Sequence, residues 1–360
     1  MKIKHLYIHV PFCKTICSYC DFCHRVYNDD LADKWLKRIT KEFKECNDEQ
    51  YETVYIGGGT PTSLSDEQLE KLLKLIKPHT NKIKEYTIEV NPESLTLNKI
   101  KLFNKYGINR VSIGLQSSNE KLLKLMNRHH TFDDVKDKVN LLKENGISNI
   151  SIDIIYSLPS QTMSDLKKTL KDAISLDVPH MSLYSLTIEE NTVFGKKGYK
   201  PLDEEIEADM YEYIIDTLTE NGFKFYEIAN FAKKGYESKH NLGYWRYEDF
   251  RGLGCGSSSK IGSIRYDKTK DINKYINSKD IIETTYKLSK QDRMFENIMM
   301  SLRTKEGIDI NKFNKLYKVD LLDYYKMAIE KNKKNLKIAD NHLTCKNRKI
   351  LNSILIDFID

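Results

Sequence analysis

The sequence predicts an α/β fold: a parallel sheet with helices over its faces, followed by a small, mostly helical unit. Three observations lead there. Short apolar runs alternate with amphipathic helical patterns from about residue 5 to residue 230. Most of these runs are apolar almost throughout, as strands covered on both faces are. One plan also recurs, at 106–114 (YGINRVSIG), 145–153 (NGISNISID) and 221–229 (NGFKFYEIA): a helix end, a glycine suited to a left-handed stop, then a strand. Such alternation implies right-handed crossovers and a parallel sheet, open or closed into a barrel. Ligand chemistry in such folds belongs at the carboxyl ends of the strands.

Strands are expected at residues 5–10, 53–57, 86–91, 110–115, 149–155, 181–186 and 224–229. Ser65, with Gln68 three residues on, fits a capping box for a helix that lines up Leu69, Leu72, Leu73 and Ile76 on one face. Asp203 can cap a helix carrying Ile206, Met210, Ile214 and Leu218. From about Gly235 to Tyr266, glycine, serine and aromatic residues dominate and helical periodicity is lost, so this stretch reads as loops around the sheet edge. Helical patterns return at 292–302 and 310–317. The chain therefore divides into a strand–helix domain (1–232), a loop-rich sheet-edge segment (233–286) and a helical C-terminal domain (287–360).

The bulk numbers exclude several classes. The 360 residues are 40% hydrophobic and 31% charged, an ordinary globular balance. No run approaches the roughly 20 apolar residues needed to span a bilayer, and Met1 to Val10 is too short before Pro11 for a signal peptide. A cytoplasmic protein is expected, with peripheral membrane contact left open. The net charge of +6 is spread along the chain, and only ten of the 58 basic residues are arginine. The densest lysine run, Lys331 to Lys337, reads as a solvated face, so nucleic-acid binding is not expected.

Four of the seven cysteines crowd into Cys13, Cys17, Cys20 and Cys23. An odd, clustered set with no secretion signal argues for metal rather than disulfides. Three thiolates spaced four and three apart, at Cys13, Cys17 and Cys20, can each take one corner of a cubane iron–sulfur cluster and leave the fourth iron open. A structural zinc site would normally bring a second Cys/His pair a dozen or more residues later; none follows, although His24 or Cys23 could complete a compact site.

Cys-x3-Cys-x2-Cys after a first strand resembles the signature of radical S-adenosylmethionine (radical SAM) proteins. The run from Tyr7 to Cys13 (YIHVPFC) further resembles the subgroup of oxygen-independent coproporphyrinogen III oxidases and HemW-type haem chaperones. The likeness continues in order through Gly57-Gly-Gly-Thr-Pro-Thr62, Glu89-Val-Asn-Pro92, Gly114-Leu-Gln116, Asn127-Arg-His-His130 and Asp153-Ile-Ile-Tyr156. It implies a partial (βα)6 radical-SAM barrel, a [4Fe–4S] cluster on Cys13, Cys17 and Cys20, bound S-adenosylmethionine and an external electron donor. Reductive cleavage of the cofactor to methionine and a 5′-deoxyadenosyl radical is the implied chemistry.

The resemblance also assigns roles. Gly58, Gly59 and Thr60 would face the amino group of S-adenosylmethionine, where glycine permits close backbone approach. Glu89 would contact its ribose or methionine end. Gln116, Arg128 and Asp153 match further cofactor positions, Arg128 with a fork suited to the methionine carboxylate. Tyr7 and Tyr19 flank the cysteine loop at positions that touch the cofactor.

Within the subgroup the features favour a haem chaperone. The oxidases usually carry another cysteine two residues after the third ligand; Phe22 stands there, and Cys23 reads as a bystander. They also carry a longer arm before the cluster. The segment His240-Asn241-Leu242-Gly243-Tyr244-Trp245 matches a His-Asn-x-x-Tyr-Trp motif tied to haem, with His240 able to touch it. Ser258 stands where a histidine is common, and Cys255 nearby reads as a small core residue. The expected partners are haem and an apo-haemoprotein that receives it. The competing expectation is oxidative decarboxylation of two propionates of coproporphyrinogen III.

Overall fold

In the computed structural model, which describes residues 3–46 and 49–359, the apolar runs form parallel strands. They are β1 (His5–Val10), β2 (Thr53–Gly58), β3 (Glu85–Val90), β4 (Arg110–Gln116), β5 (Ile150–Tyr156) and β6 (His180–Ser185), each paired in parallel with the next. The expected domain ranges also take in residues 1, 2, 47, 48 and 360, which lie outside the described residues. Long helices follow these strands: α1 (Asp29–Glu45), α2 (Asp66–Ile76), α3 (Leu97–Tyr106), α4 (Phe132–Glu144), α5 (Met163–Ser175) and α6 (Glu204–Glu220). This is the α/β partial barrel that the alternation predicts.

Strand period fixes what faces what. Leu6, Ile8, Val54, Ile56, Tyr86, Ile88, Val111, Ile113, Ile152 and Ile154 are buried in the main core. The residues between them, among them Tyr7, Tyr55, Glu89, Ser112 and Asp153, share the opposite face. The local signals hold as well. Ser65 and Gln68 make the reciprocal capping box, and the Asp203 carboxylate accepts from the Glu205 N–H. Gly107, Gly146 and Gly222 end their helices at φ +83°, +85° and +82°, where a side chain would be strained. Ile206 is the exception to its helix pattern and is exposed.

The seventh strand differs from expectation. It shortens to β7 (Lys224–Phe225), and the chain returns as β8 (Asn230–Ala232), antiparallel to both β6 and β7. Tyr226 to Ala229 lose regular pairing because their backbone serves other partners. The Tyr226 carbonyl accepts from Lys305 N–H, and Ala229 from Leu183 N–H.

The stretch read as loops contains α7 (Lys239–Trp245) and four strands: β9 (Phe250–Leu253), β10 (Ser258–Ile261), β11 (Ile264–Lys268) and β12 (Ile282–Lys287). Strand β9 runs parallel to β1, and the others add antiparallel. Their side chains are largely half-exposed, so the apolar period that marks β1–β6 is absent. The sheet order is β12-β11-β10-β9-β1-β2-β3-β4-β5-β6-β8-β7. The sheet curls without closing, and a cleft remains between the β8 edge and the β9–β11 edge.

A second core holds the C-terminal unit together, around Met294, Ile298, Phe313, Leu343 and Phe358. It contains α8 (Lys290–Ser301), α9 (Ile310–Tyr317) and a small sheet of β13 (Ile308–Asp309), β14 (Leu336–Ala339) and β15 (His342–Cys345). No helix among the described residues is long and apolar enough to cross a membrane.

Candidate functional site: a cysteine-lined pocket and an adjoining cleft

The chain leaves β1 at Pro11 and loops out through the three cysteines. It returns where Arg25–Val26 pair with Phe12–Cys13. The loop is tied down from outside: Ser18 N–H donates to the Met126 carbonyl at 3.0 Å, and Asn127 Nδ2 donates to the Ile16 carbonyl at 2.8 Å. Cys13 is buried; Cys17 and Cys20 are half-buried. Among the described residues no three His, Cys, Asp or Glu side chains converge on one point where a single ion would sit. The three thiols instead line one wall of a pocket of about 390 Å³.

The ends of β2–β5 build the rest of this pocket. Gly58, Gly59, Thr60, Glu89, Asn91, Gln116, Arg128, Asp153 and Tyr19 all line it. A Cβ on Gly59 would lie 2.7 Å from the Phe12 carbonyl oxygen and 3.0 Å from Cys13 Sγ, so only glycine lets the two loops meet. Glu89 accepts from Tyr55 Oη at 2.7 Å and from Gly58 N–H at 3.1 Å. Asp153 accepts from Ser112 Oγ at 2.8 Å. Gln116 holds φ +63° beside a register shift at the end of β4, an uncommon conformation that concentrates at functional sites.

Burial sets the electrostatics. It pushes Glu89 up to about 7, against the hydrogen bond from Tyr55 and with the help of the Asp153 charge. Burial also pushes Cys13 up to about 11 and Cys20 up to about 12, so the bare thiols hold their protons. A metal would have to draw those protons off, as thiolate ligation does. Arg128 spends its fork on the protein: Nη1 donates to Asn91 Oδ1 and Nη2 to the Gly114 carbonyl, both at 2.9 Å. Its buried Nε has no partner and remains for a ligand.

The open side of the barrel forms a second, larger cavity of about 930 Å³, within the range of small-molecule sites. Its walls come from the β8 edge (Glu227, Asn230), from α7 (Asn241, Tyr244, Trp245) and from the β9–β11 edge (Phe250, Lys260, Arg265). Glu296 and Met300 of α8 close it from the C-terminal unit. Tyr184, on β6, lines both this cleft and the cysteine pocket.

The family model of the radical SAM superfamily matches residues 7–173, and that of the HemN C-terminal domain matches 288–348. A protein named heme chaperone HemW from Lactococcus lactis subsp. lactis (strain IL1403) is 39% identical over 90% of this chain and 88% of its own length. Its namesake from Bacillus subtilis (strain 168) is 36% identical over 88% and 87%. The chain belongs to the HemW family of the radical SAM superfamily. The structure of coproporphyrinogen III oxidase (HemN) from Escherichia coli shares the fold, with a TM-score of 0.85 over 99% of this chain and 90% of that one, at 21% identity.

Eleven of the thirteen residues singled out in this HemW-family sequence meet at the cysteine pocket: Cys13, Cys17, Tyr19, Cys20, Gly58, Gly59, Thr60, Glu89, Gln116, Arg128 and Asp153. Two do not. Tyr7 lies off its wall, bonded to His9 Nδ1 at 3.0 Å and stacked on Tyr55, because strand alternation sets it one step below His9. His240 is buried at the start of α7, with Nδ1 on Thr53 Oγ1 at 2.7 Å and Nε2 on Tyr244 Oη at 2.8 Å. It lines neither cavity; Asn241, Tyr244 and Trp245 of its motif line the cleft. Cys23 packs against Cys255 in the core, with sulfurs 3.7 Å apart, and Ser258 lines the cleft. Sequence reasoning missed Asn91, Tyr55 and Glu227. The signal that could have found them is a polar side chain at an inward position of an otherwise apolar strand or strand end.

Proposed function

We propose that this protein is a haem chaperone that takes up haem and passes it to an apo-haemoprotein, with a [4Fe–4S] cluster and S-adenosylmethionine in a supporting role. Cys13, Cys17 and Cys20 would hold the cluster. Gly58, Gly59, Thr60, Glu89, Gln116, Asp153, Tyr19 and the free Nε of Arg128 would hold the cofactor over it. When bound, the pair supplies one-electron reductive chemistry, fed by an external electron donor. Around them the protein's part is to orient and to exclude water. Glu89 is set by Tyr55 and Gly58, and Arg128 by Asn91 and Gly114.

One observation carries the haem reading: an aromatic-walled cleft of about 930 Å³, with Tyr244 and Trp245 in its wall, shares Tyr184 with the cysteine pocket. Flat aromatic faces suit a macrocycle. His240 then acts from behind, holding Tyr244 through its Oη, in place of direct contact. Range 1–232 carries the pocket and one wall of the cleft, 233–286 supplies the opposite wall, and 287–360 adds Glu296 and Met300. The seven free cysteines fit work in the reducing cytoplasm.

The test is transfer. Haem-loaded protein should show a Soret band and lose it to an added apo-haemoprotein. Anaerobic incubation of the reconstituted protein with S-adenosylmethionine, reductant and coproporphyrinogen III should leave the porphyrinogen unchanged. A decarboxylated product would replace this reading with that of an oxidase.

A further inference from the structure

Three buried polar atoms in the wall of the cleft have no partner in the protein: Glu227 Oε1, Asn230 Oδ1 and Trp245 Nε1. Glu227 is 0% exposed and Asn230 is 3% exposed. A buried polar atom without a partner is costly, so a wall presenting three of them is shaped for a polar group of a ligand. Two come from the β8 edge and one from the end of α7, and the backbone that carries them is tied down. Glu227 Oε2 accepts from Ala229 N–H at 3.1 Å. Asn230 is paired with Ser182 across the sheet, and the Trp245 carbonyl accepts from Ser301 Oγ at 3.3 Å.

We propose that Glu227, Asn230 and Trp245 form a receptor for a carboxylate side arm of the tetrapyrrole, a haem propionate. Glu227 in its protonated form and Trp245 Nε1–H donate to the two carboxylate oxygens, and the Asn230 amide, whose oxygen and nitrogen exchange by a half-turn, completes the set. This rests on the haem-chaperone reading and names the subsite that would orient the cargo.

The obvious cations do not compete for the role. Lys260 is paired with Asp249 at 2.8 Å and Arg265 with Glu296 at 3.0 Å. Burial pushes the Glu227 carboxyl up to about 7, against the lowering influence of the neighbouring Asn230 amide, the Ala229 N–H and the Arg348 charge. The other groups that face it are the phenols of Tyr184, Tyr211 and Tyr226. Glu248 and Asp267 line the same cleft. Below about pH 7 the wall is a donor surface. Above it, Glu227 becomes an anion facing an anion.

The experiment is a haem titration of the full chain, followed by the Soret band from pH 6 to pH 8.5. Wild-type affinity should fall about tenfold per pH unit above 7, as the protonated fraction does. Glu227→Gln keeps the shape and a donor, and should bind at pH 6 within about threefold of wild type without that fall. Glu227→Ala should bind about tenfold more weakly at pH 6. Haem dimethyl ester should bind wild type and Glu227→Ala alike. If wild type binds haem but all three proteins share one affinity and one pH profile, or if wild type takes the ester as tightly as haem, the proposal fails and the chaperone reading stands. If wild type gives no Soret band, both fail.

Discussion

His240 gives both ring nitrogens to the protein, Nδ1 to Thr53 and Nε2 to Tyr244, and burial holds its pKa well below the usual histidine range. It is therefore a neutral ring with one N–H, fixed between a strand start and a phenol. Using it as an iron ligand would leave the Tyr244 hydroxyl without its partner. The expected result of His240→Ala is a haem affinity weakened about five- to tenfold, the worth of one hydrogen bond, at an unshifted Soret maximum. Tyr244→Phe should reproduce it. A shifted maximum in His240→Ala alone would make His240 the ligand. Gly59 shows the same dependence on neighbours. Gly59→Ala would drive a methyl against the Phe12 carbonyl and Cys13 Sγ. The forced movement should cost roughly 1–3 kcal/mol and lower the iron bound after reconstitution, measured per chain against wild type.

At the scale of elements, the most legible were those whose signals are local. The Ser65–Gln68 box, the Asp203 cap and the three helix-ending glycines act within one turn of chain, so sequence spacing states them completely. Ser65→Ala removes an acceptor for the Gln68 N–H and should destabilise the protein by about 1 kcal/mol, read as a lower denaturant midpoint at unchanged slope. Less legible were β9–β12: β11 and β12 are half-exposed or exposed at most positions, and the buried positions of β10 are Ser259 and Lys260, so no apolar period marks them. The β14–β15 hairpin was missed for another reason. Its turn, Asp340-Asn341, has both residues at positive φ, +49° and +62°, a conformation that Asp and Asn tolerate. The lysines around it masked the alternation of Leu336 and Ile338 with Leu343 and Cys345.

Across the whole molecule, the curled, unclosed sheet keeps two acids in low dielectric, Glu89 in the pocket and Glu227 in the cleft, each pushed up to about 7 mainly by burial. Their folded values lie above the unfolded one, so the folded state binds the extra protons. Stability should then fall as pH rises from about 4.5 to about 7, by up to roughly 3 kcal/mol for each acid. Thermal melts of the protein free of cofactor should show the midpoint dropping between pH 5 and pH 7.5. Glu227→Gln should make that drop shallower. An equal slope in the variant would mean that Glu227 stays ionised in the fold.

What the sequence determined by itself was the repeating strand–helix plan and the three-cysteine loop, to which the resemblance to radical SAM proteins added the residues that the strand ends bring there. Period, capping and spacing are properties of neighbouring residues, and a parallel strand delivers its last residues to one rim whatever lies around it. Tertiary structure decided the rest: that the sheet stays open, that Tyr7 and His240 sit beneath the surfaces they were expected to form, and that Glu227, Asn230 and Trp245 share a wall. Those outcomes depend on which edges pair and what packs across the gap, contacts between residues tens to hundreds of positions apart that no local pattern encodes.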